Sequence, residues 1–94
     1  MVSQVRASHI LVKTEQEARE ILTKLKSGAN FEEIARNKST CPSGKRGGDL
    51  GFFDRGKMVK AFEEAAFKTP KGQMVTDPVK TQFGYHVIKV TDTK

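Results

Sequence analysis

The chain of 94 residues has no tryptophan, one tyrosine, one cysteine and two histidines. Nowhere does it hold a long run of apolar side chains. Each shortage removes a class of protein. The lone Cys41 has no partner for an internal disulfide, and one cysteine with two histidines cannot close a four-ligand zinc site, so neither a disulfide framework nor a structural metal holds the fold. No metal or other cofactor is expected. The opening stretch, residues 1–12, lacks the apolar centre of a secretion leader, and no segment is apolar for long enough to span a bilayer. A soluble cytoplasmic protein without membrane contact is the expectation. The hydrophobic fraction, 36% with six phenylalanines, suffices for one compact core but not for a large internal cavity. At this length a single core barely sustains a fold unaided, so residues 1–94 read as one domain, and any binding site as a shallow surface groove.

Positive charge is in excess: 17 Lys and Arg against 11 Asp and Glu give a net charge of +6. Much of it lies in Arg36, Lys38, Lys45, Arg46, Arg55, Lys57 and Lys60, interleaved with glycine and acid, which is the pattern of a solvated face. Aromatics are few and no nucleic-acid motif appears, so a nucleic-acid partner is not expected. The stretch SGKRGGDLG lacks the order Gly-x-x-x-x-Gly-Lys-Ser/Thr and follows a helical pattern, which excludes a phosphate loop. Glu63 and Glu64 read as the wet side of a helix, not as a catalytic pair.

Period-two alternation makes residues 5–12 a strand with Val5, Ala7, His9 and Leu11 on one face. Thr14-Glu15-Gln16-Glu17 is a capping box for a helix carrying Ala18, Ile21, Leu22 and Leu25 at helical spacing and stopping at Gly28. Asn30 caps a shorter helix with Phe31, Ile34 and Ala35 on its buried stripe. Residues 39–48 have no period and consist of turn formers, so they read as a functional or mobile loop. A strand DLGFF follows, then a helix holding Met58, Val59, Phe62, Ala66 and Phe67. A short strand MVTDPV has Pro78 confining it to an edge or bulge, and a last strand ends in GYHVIKV. Short connections and a candidate terminal hairpin favour an α+β domain with a mostly antiparallel sheet.

In the last strand Gly84, His86, Ile88 and Val90 share a face, so each histidine sits on the apolar face of its strand. If the two strands are neighbours, the imidazoles lie close together. Either one alone reads first as a core histidine satisfied by hydrogen bonds, and only the pair raises the functional reading. Cys41 lies in a basic, Gly-rich loop, held extended by Pro42. There it serves as a nucleophile beside a histidine, as a polarisable lining of a groove, or simply as a half-buried small side chain. Met58 and Phe62, four apart, share a helical face and on their own read as core.

Taken in order, SHILVK, STCPSGKRGGDLGFFDRGKMVKAFEEAAF and TQFGYHVIKV resemble the parvulin family of peptidyl-prolyl cis/trans isomerases over nearly the whole chain, in particular its small single-domain bacterial members. The resemblance implies a four-stranded antiparallel sheet flanked by about four helices, with a proline-binding groove. It places Leu50, Met58 and Phe62 in the pocket for the proline ring, His9 and His86 as the paired histidines, Cys41 as the groove cysteine and Thr81 as their hydroxyl partner. Gln82 and Phe83 fall at the groove edge. Phosphorylation-directed members carry a long basic loop after the first strand. Here VKTEQEA supplies Lys13 and turns acidic, so a phosphoserine requirement is not expected, although Lys45 and Arg46 are candidate contacts for acidic substrates.

The implied activity is rotation about Xaa-Pro bonds in peptides and in folding proteins, by a monomer. The alternative is a noncatalytic module that holds proline-containing or unfolded segments. Twisting an amide costs about 18–20 kcal/mol, and no bond need be broken, so noncovalent binding of the twisted form is preferred over attack by Cys41.

Overall fold

The computed structural model describes residues 3–94. Met1 and Val2, the start of the stretch read for a leader, lie outside them. The elements are β1 (Gln4–Val12), α1 (Glu15–Lys26), α2 (Phe31–Lys38), β2 (Asp49–Asp54), α3 (Lys60–Lys68), β3 (Val79–Thr81) and β4 (Gly84–Thr93). One antiparallel sheet runs in the order β2-β1-β4-β3, so the first and last strands are neighbours at its centre.

Because alternate side chains of a strand point to opposite faces, β1 and β4 feed two separate cores. Ile10, Val12 and Val87 pack with Ala18, Ile21 and Leu22 of α1 and Phe31 and Ala35 of α2. On the other face Val5, Ala7, Ile88 and Val90 pack with Phe53 and with Phe62 and Ala66 of α3. His9 and His86 lie on this second face. The sheet is thus sandwiched between α1 and α2 on one side and α3 on the other, an α+β architecture.

Local signals explain the helix ends. Thr14 Oγ1 accepts the Glu17 N–H at 3.2 Å, its hydroxyl lies 3.3 Å from the Glu17 carboxylate, and Asn30 Oδ1 accepts the Glu33 N–H at 2.8 Å. Three expectations change. About four helices become three α-helices, and part of the expected loop is a single 3-10 turn, Pro42–Arg46, cut short by Gly47 in the left-handed region at φ 71°. The helix expected to hold Met58 begins only at Lys60, since Val59 is extended and no side chain caps it, so Met58 reaches the groove from the lead-in. The strand expected over residues 74–79 is reduced to a single bridge from Met74 to Lys89, with β3 starting just after Pro78, which has no N–H to pair. Thr81 consequently ends β3, and Gln82 and Phe83 form the turn into β4.

The connection between α2 and β2 is tied to the upper edge of β1, where β2 no longer pairs. Leu11 N–H donates to Ser39 Oγ at 3.1 Å, Thr40 N–H to the Leu11 carbonyl at 2.8 Å, and His9 N–H to the Gly48 carbonyl at 3.0 Å. Gly48 has φ +86°, and a Cβ there would overlap the His9 carbonyl oxygen. Gly48→Ala should therefore cost about 1–3 kcal/mol in urea unfolding. Gly28→Ala, at φ +102° but facing open space, should cost less. Equal losses would show that the contact with β1 is not tight.

Candidate active site

His9 of β1 and His86 of β4 are both buried, and their Nδ1 atoms are 2.8 Å apart. The rings are parallel within 17° with centroids 5.0 Å apart. With the nitrogens this close, that geometry places the imidazoles edge to edge rather than face to face. His9 Nε2 is 3.1 Å from Ser43 Oγ, whose hydroxyl lies 3.2 Å from Cys41 Sγ. At the other end His86 Nε2 is 2.7 Å from Thr81 Oγ1, which accepts the Phe83 N–H at 3.2 Å. One continuous chain of hydrogen bonds therefore runs Phe83, Thr81, His86, His9, Ser43, Cys41.

Proton counting gives the chain a direction. A neutral imidazole has one donor and one acceptor, and a hydroxyl has one hydrogen. If Ser43 donates to sulfur, it accepts from His9 Nε2–H, so His9 Nδ1 is bare and takes the His86 Nδ1–H, and His86 Nε2 takes the Thr81 hydroxyl hydrogen. The reverse sense would leave the Thr81 hydroxyl hydrogen unspent. The forward sense leaves only the weak S–H donor of Cys41 free, which is the cheaper outcome.

Burial pulls both imidazoles from the ordinary 6.5 to about 4, and for His86 the neighbouring His9 charge acts in the same direction. At neutral pH the chain is uncharged. Phe62 of α3 seats it, with its ring perpendicular to both imidazoles at centroid distances of 5.5 and 5.2 Å.

The chain forms the back wall of an open groove of about 510 Å³, lined by His9, Leu11, Thr40, Cys41, Pro42, Leu50, Lys57, Met58, Val59, Phe62 and Phe83. Of the residues expected at the site, His9, Cys41, Leu50, Met58, Phe62 and Phe83 meet here. Thr81 and His86 stand behind the wall, and Gln82 is exposed in the β3–β4 turn. Lys45 and Arg46 do not line the groove. The 3-10 turn buries Ser43 and Gly44 and leaves both basic residues exposed, and Arg46 borders a depression with Ser8 and Glu32 on the α2 side of β1. Leu11, Thr40, Pro42, Lys57 and Val59 of the lining, and Ser43 behind it, escaped the sequence reading of the site. Ser43, inside an aperiodic loop, looked like any turn serine, although it lies two positions from Cys41. Lys57 was counted only as surface charge, although it directly precedes Met58.

The groove, its neutral histidine pair and its sheet order define a rotamase domain, and comparison with known proteins supports this. The family model described as the PPIC-type PPIASE domain matches residues 1–94. The chain belongs to that family, the parvulin-type peptidyl-prolyl isomerases. The foldase protein PrsA of Geobacillus sp. (strain WCH70) is 60% identical over 89 residues, which are 94% of this chain and 32% of that protein. PrsA of Bacillus subtilis (strain 168) is 50% identical over 91 residues, 96% of this chain and 31% of that protein. The chain thus spans about a third of the length of these curated relatives. Among solved structures, the peptidylprolyl isomerase PrsA from Bacillus anthracis superposes with TM-score 0.96 at 49% identity, over 99% of this chain and 43% of that one. NmPin, the parvuline of Nitrosopumilus maritimus, gives TM-score 0.87 at 44% identity, over 98% of this chain and 99% of that one.

Two outcomes follow from the chain of hydrogen bonds. The unfolded protein takes up histidine protons near pH 6.5, whereas the folded protein resists until about pH 4. Stability is therefore complete above about 6.5 and falls as pH drops towards 4, by about 1.4 kcal/mol per pH unit for each proton taken up. Urea midpoints measured across that window should slope downward, and in the double variant His9→Gln, His86→Gln the slope should be lost above about pH 5, leaving only the acid-end fall from Asp49 and Asp92, whose carboxyls Arg6 and the Thr93 N–H hold below their ordinary range. Ser43→Ala leaves the buried His9 Nε2–H without its acceptor and should cost about 1–3 kcal/mol in the same assay.

Proposed function

We propose that the domain turns over Xaa-Pro bonds by holding the twisted amide without covalent chemistry, and that it takes unphosphorylated proline-containing segments of peptides and unfolded chains. The observation that carries this is the juxtaposition of an apolar pocket with an uncharged hydrogen-bond chain on one wall. Rotation removes amide resonance, so the carbonyl loses negative charge on the way to the twisted state. A wall that excludes water and presents no cation to that carbonyl disfavours the planar, dipolar form relative to the twisted one. A thousandfold acceleration needs a preference of about 4 kcal/mol.

In this reading Leu50, Met58 and Phe62 grip the proline ring, and Cys41 and His9 form the wall beside the preceding carbonyl. His86, Ser43 and Thr81 hold His9 and Cys41 in place. The groove volume falls in the range of roughly 300–1,000 Å³ usual for small-ligand sites. Three further features support the substrate class and state. The β1–α1 connection is Lys13 and Thr14 alone, followed by Glu15 and Glu17, which leaves no basic loop to bracket a phosphate. The longer relatives are named foldases, consistent with unfolded polypeptides as clients. Phe83, at the groove rim, is the large hydrophobic side chain left exposed among the described residues, which fits a monomer.

A protease-coupled assay on short Xaa-Pro peptides should show accelerated exchange. An unaltered exchange rate would make the domain a binding module instead. Cys41→Ser should retain substantial activity, whereas complete loss with the fold intact would point to covalent attack. Met58→Ala, at a half-buried position, should lower kcat/KM about tenfold with little change in the urea midpoint. Phe62→Ala should cost about 3–5 kcal/mol of stability as well, because Phe62 is only 2% exposed and supports both imidazoles.

A further inference from the structure

Among the side chains lining the groove, Lys57 alone carries a full charge, since His9 is neutral and the others are apolar, hydroxyl or thiol. The ammonium is not spent within the fold. Among the described residues the ion pairs engage Arg6, Arg19, Arg55 and Lys71. The two nearest acids in sequence are otherwise engaged or turned away. Glu63 is held by Arg55 Nη1 at 3.3 Å and by the Gly56 N–H, and Asp54 meets Lys57 only through its backbone carbonyl, 3.4 Å from the Lys57 N–H. The turn at Gly56, with φ +91°, leads directly into Lys57 and Met58, so the charge is anchored one residue from the proline pocket.

We propose that Lys57 sets substrate preference, selecting Xaa-Pro segments that carry a carboxylate on a residue flanking the proline. This rests on the isomerase reading and adds a specificity to it. An exposed ammonium at the rim keeps its hydration, so it gains from a nearby carboxylate without a large desolvation cost. The remaining groove wall is uncharged, so no other lining cation competes for that carboxylate. One ammonium suits one carboxylate; a phosphate dianion calls for the forked donors of clustered arginines, and Arg46 faces a different depression. Rim attraction acts on ground and transition states alike, so the preference belongs in KM more than in kcat.

The test uses NMR exchange measurements on short peptides with Glu, Gln or Lys placed directly before or directly after the proline. At low salt Glu should exceed Gln by about three- to fivefold in kcat/KM at one of the two positions, with Lys below Gln. The ratio should shrink at about 0.5 M salt. In Lys57→Gln the Glu-to-Gln ratio should fall to about one, and in Lys57→Glu the order should reverse. Wild-type turnover of the Gln peptides reads the isomerase function separately, and its absence would overturn that function and this preference with it. Equal rates for Glu and Gln peptides, or a Glu preference that survives Lys57→Gln, would overturn the role of Lys57 while leaving the isomerase intact.

Discussion

Pairing of β1 with β4 joins residues from the two ends of the chain, and the site depends on that one contact. Leu11 lies opposite His86 and His9 opposite Ile88, so the two histidines are diagonal neighbours on the same face. A shift of one residue in either strand would send one imidazole to the α1 and α2 side. The register is secured by the apolar partners that alternate with the histidines, Ala7, Ile88 and Val90 towards α3 and Ile10, Val12 and Val87 towards α1 and α2. The 2.8 Å contact between Nδ1 atoms, separated by 77 positions in sequence, is a product of core packing. Closing a loop over such a separation also carries an entropy cost that slows folding in general.

Site and core share material on the α3 face. Phe62 belongs to the apolar cluster with Phe53 and Ala66, yet its ring also supports both imidazoles and borders the groove. Burial is what keeps the imidazoles neutral, and in the proposed mechanism that neutral pair is what suits the wall to a depolarised carbonyl. A change that loosens this packing would admit water, raise proton affinity and alter the wall chemistry at once. Stability and activity are coupled here through a few side chains rather than traded between separate regions.

Much of this was readable before the structure. The period of two placed His9 and His86 on apolar faces, and the capping residues Thr14 and Asn30 placed two helix starts, because these signals are local and repeat. Spacing alone paired Met58 with Phe62 and the loop drew notice to Cys41, but only the family resemblance joined them with Leu50 and Thr81 into one site. Ser43 was not legible because its role depends on how a 3-10 turn lies against β1, which is a tertiary contact. Lys45, Arg46 and Lys57 all carry the same charge in neighbouring turns, and only the path of the backbone decides which of them faces the groove. The strand expected at Met74 failed for a related reason: β propensity favoured pairing, but the turn before Pro78 diverts the chain after a single bridge.

The outer ends of β1 and β4 lie side by side. Ser3 N–H and Gln4 N–H both reach the Lys94 carbonyl, at 2.7 and 3.2 Å, and Lys94 N–H returns to the Gln4 carbonyl at 2.9 Å. Tension applied between these two ends would load the central ladder from one side, breaking its hydrogen bonds one after another as in a zip. Strands pulled in opposite directions along their length would instead resist with all their bonds together. The same central pairing that fixes the histidines in chemical equilibrium is therefore mechanically compliant in this direction. Opening the ladder from that end would part His9 from His86, and with them the groove wall.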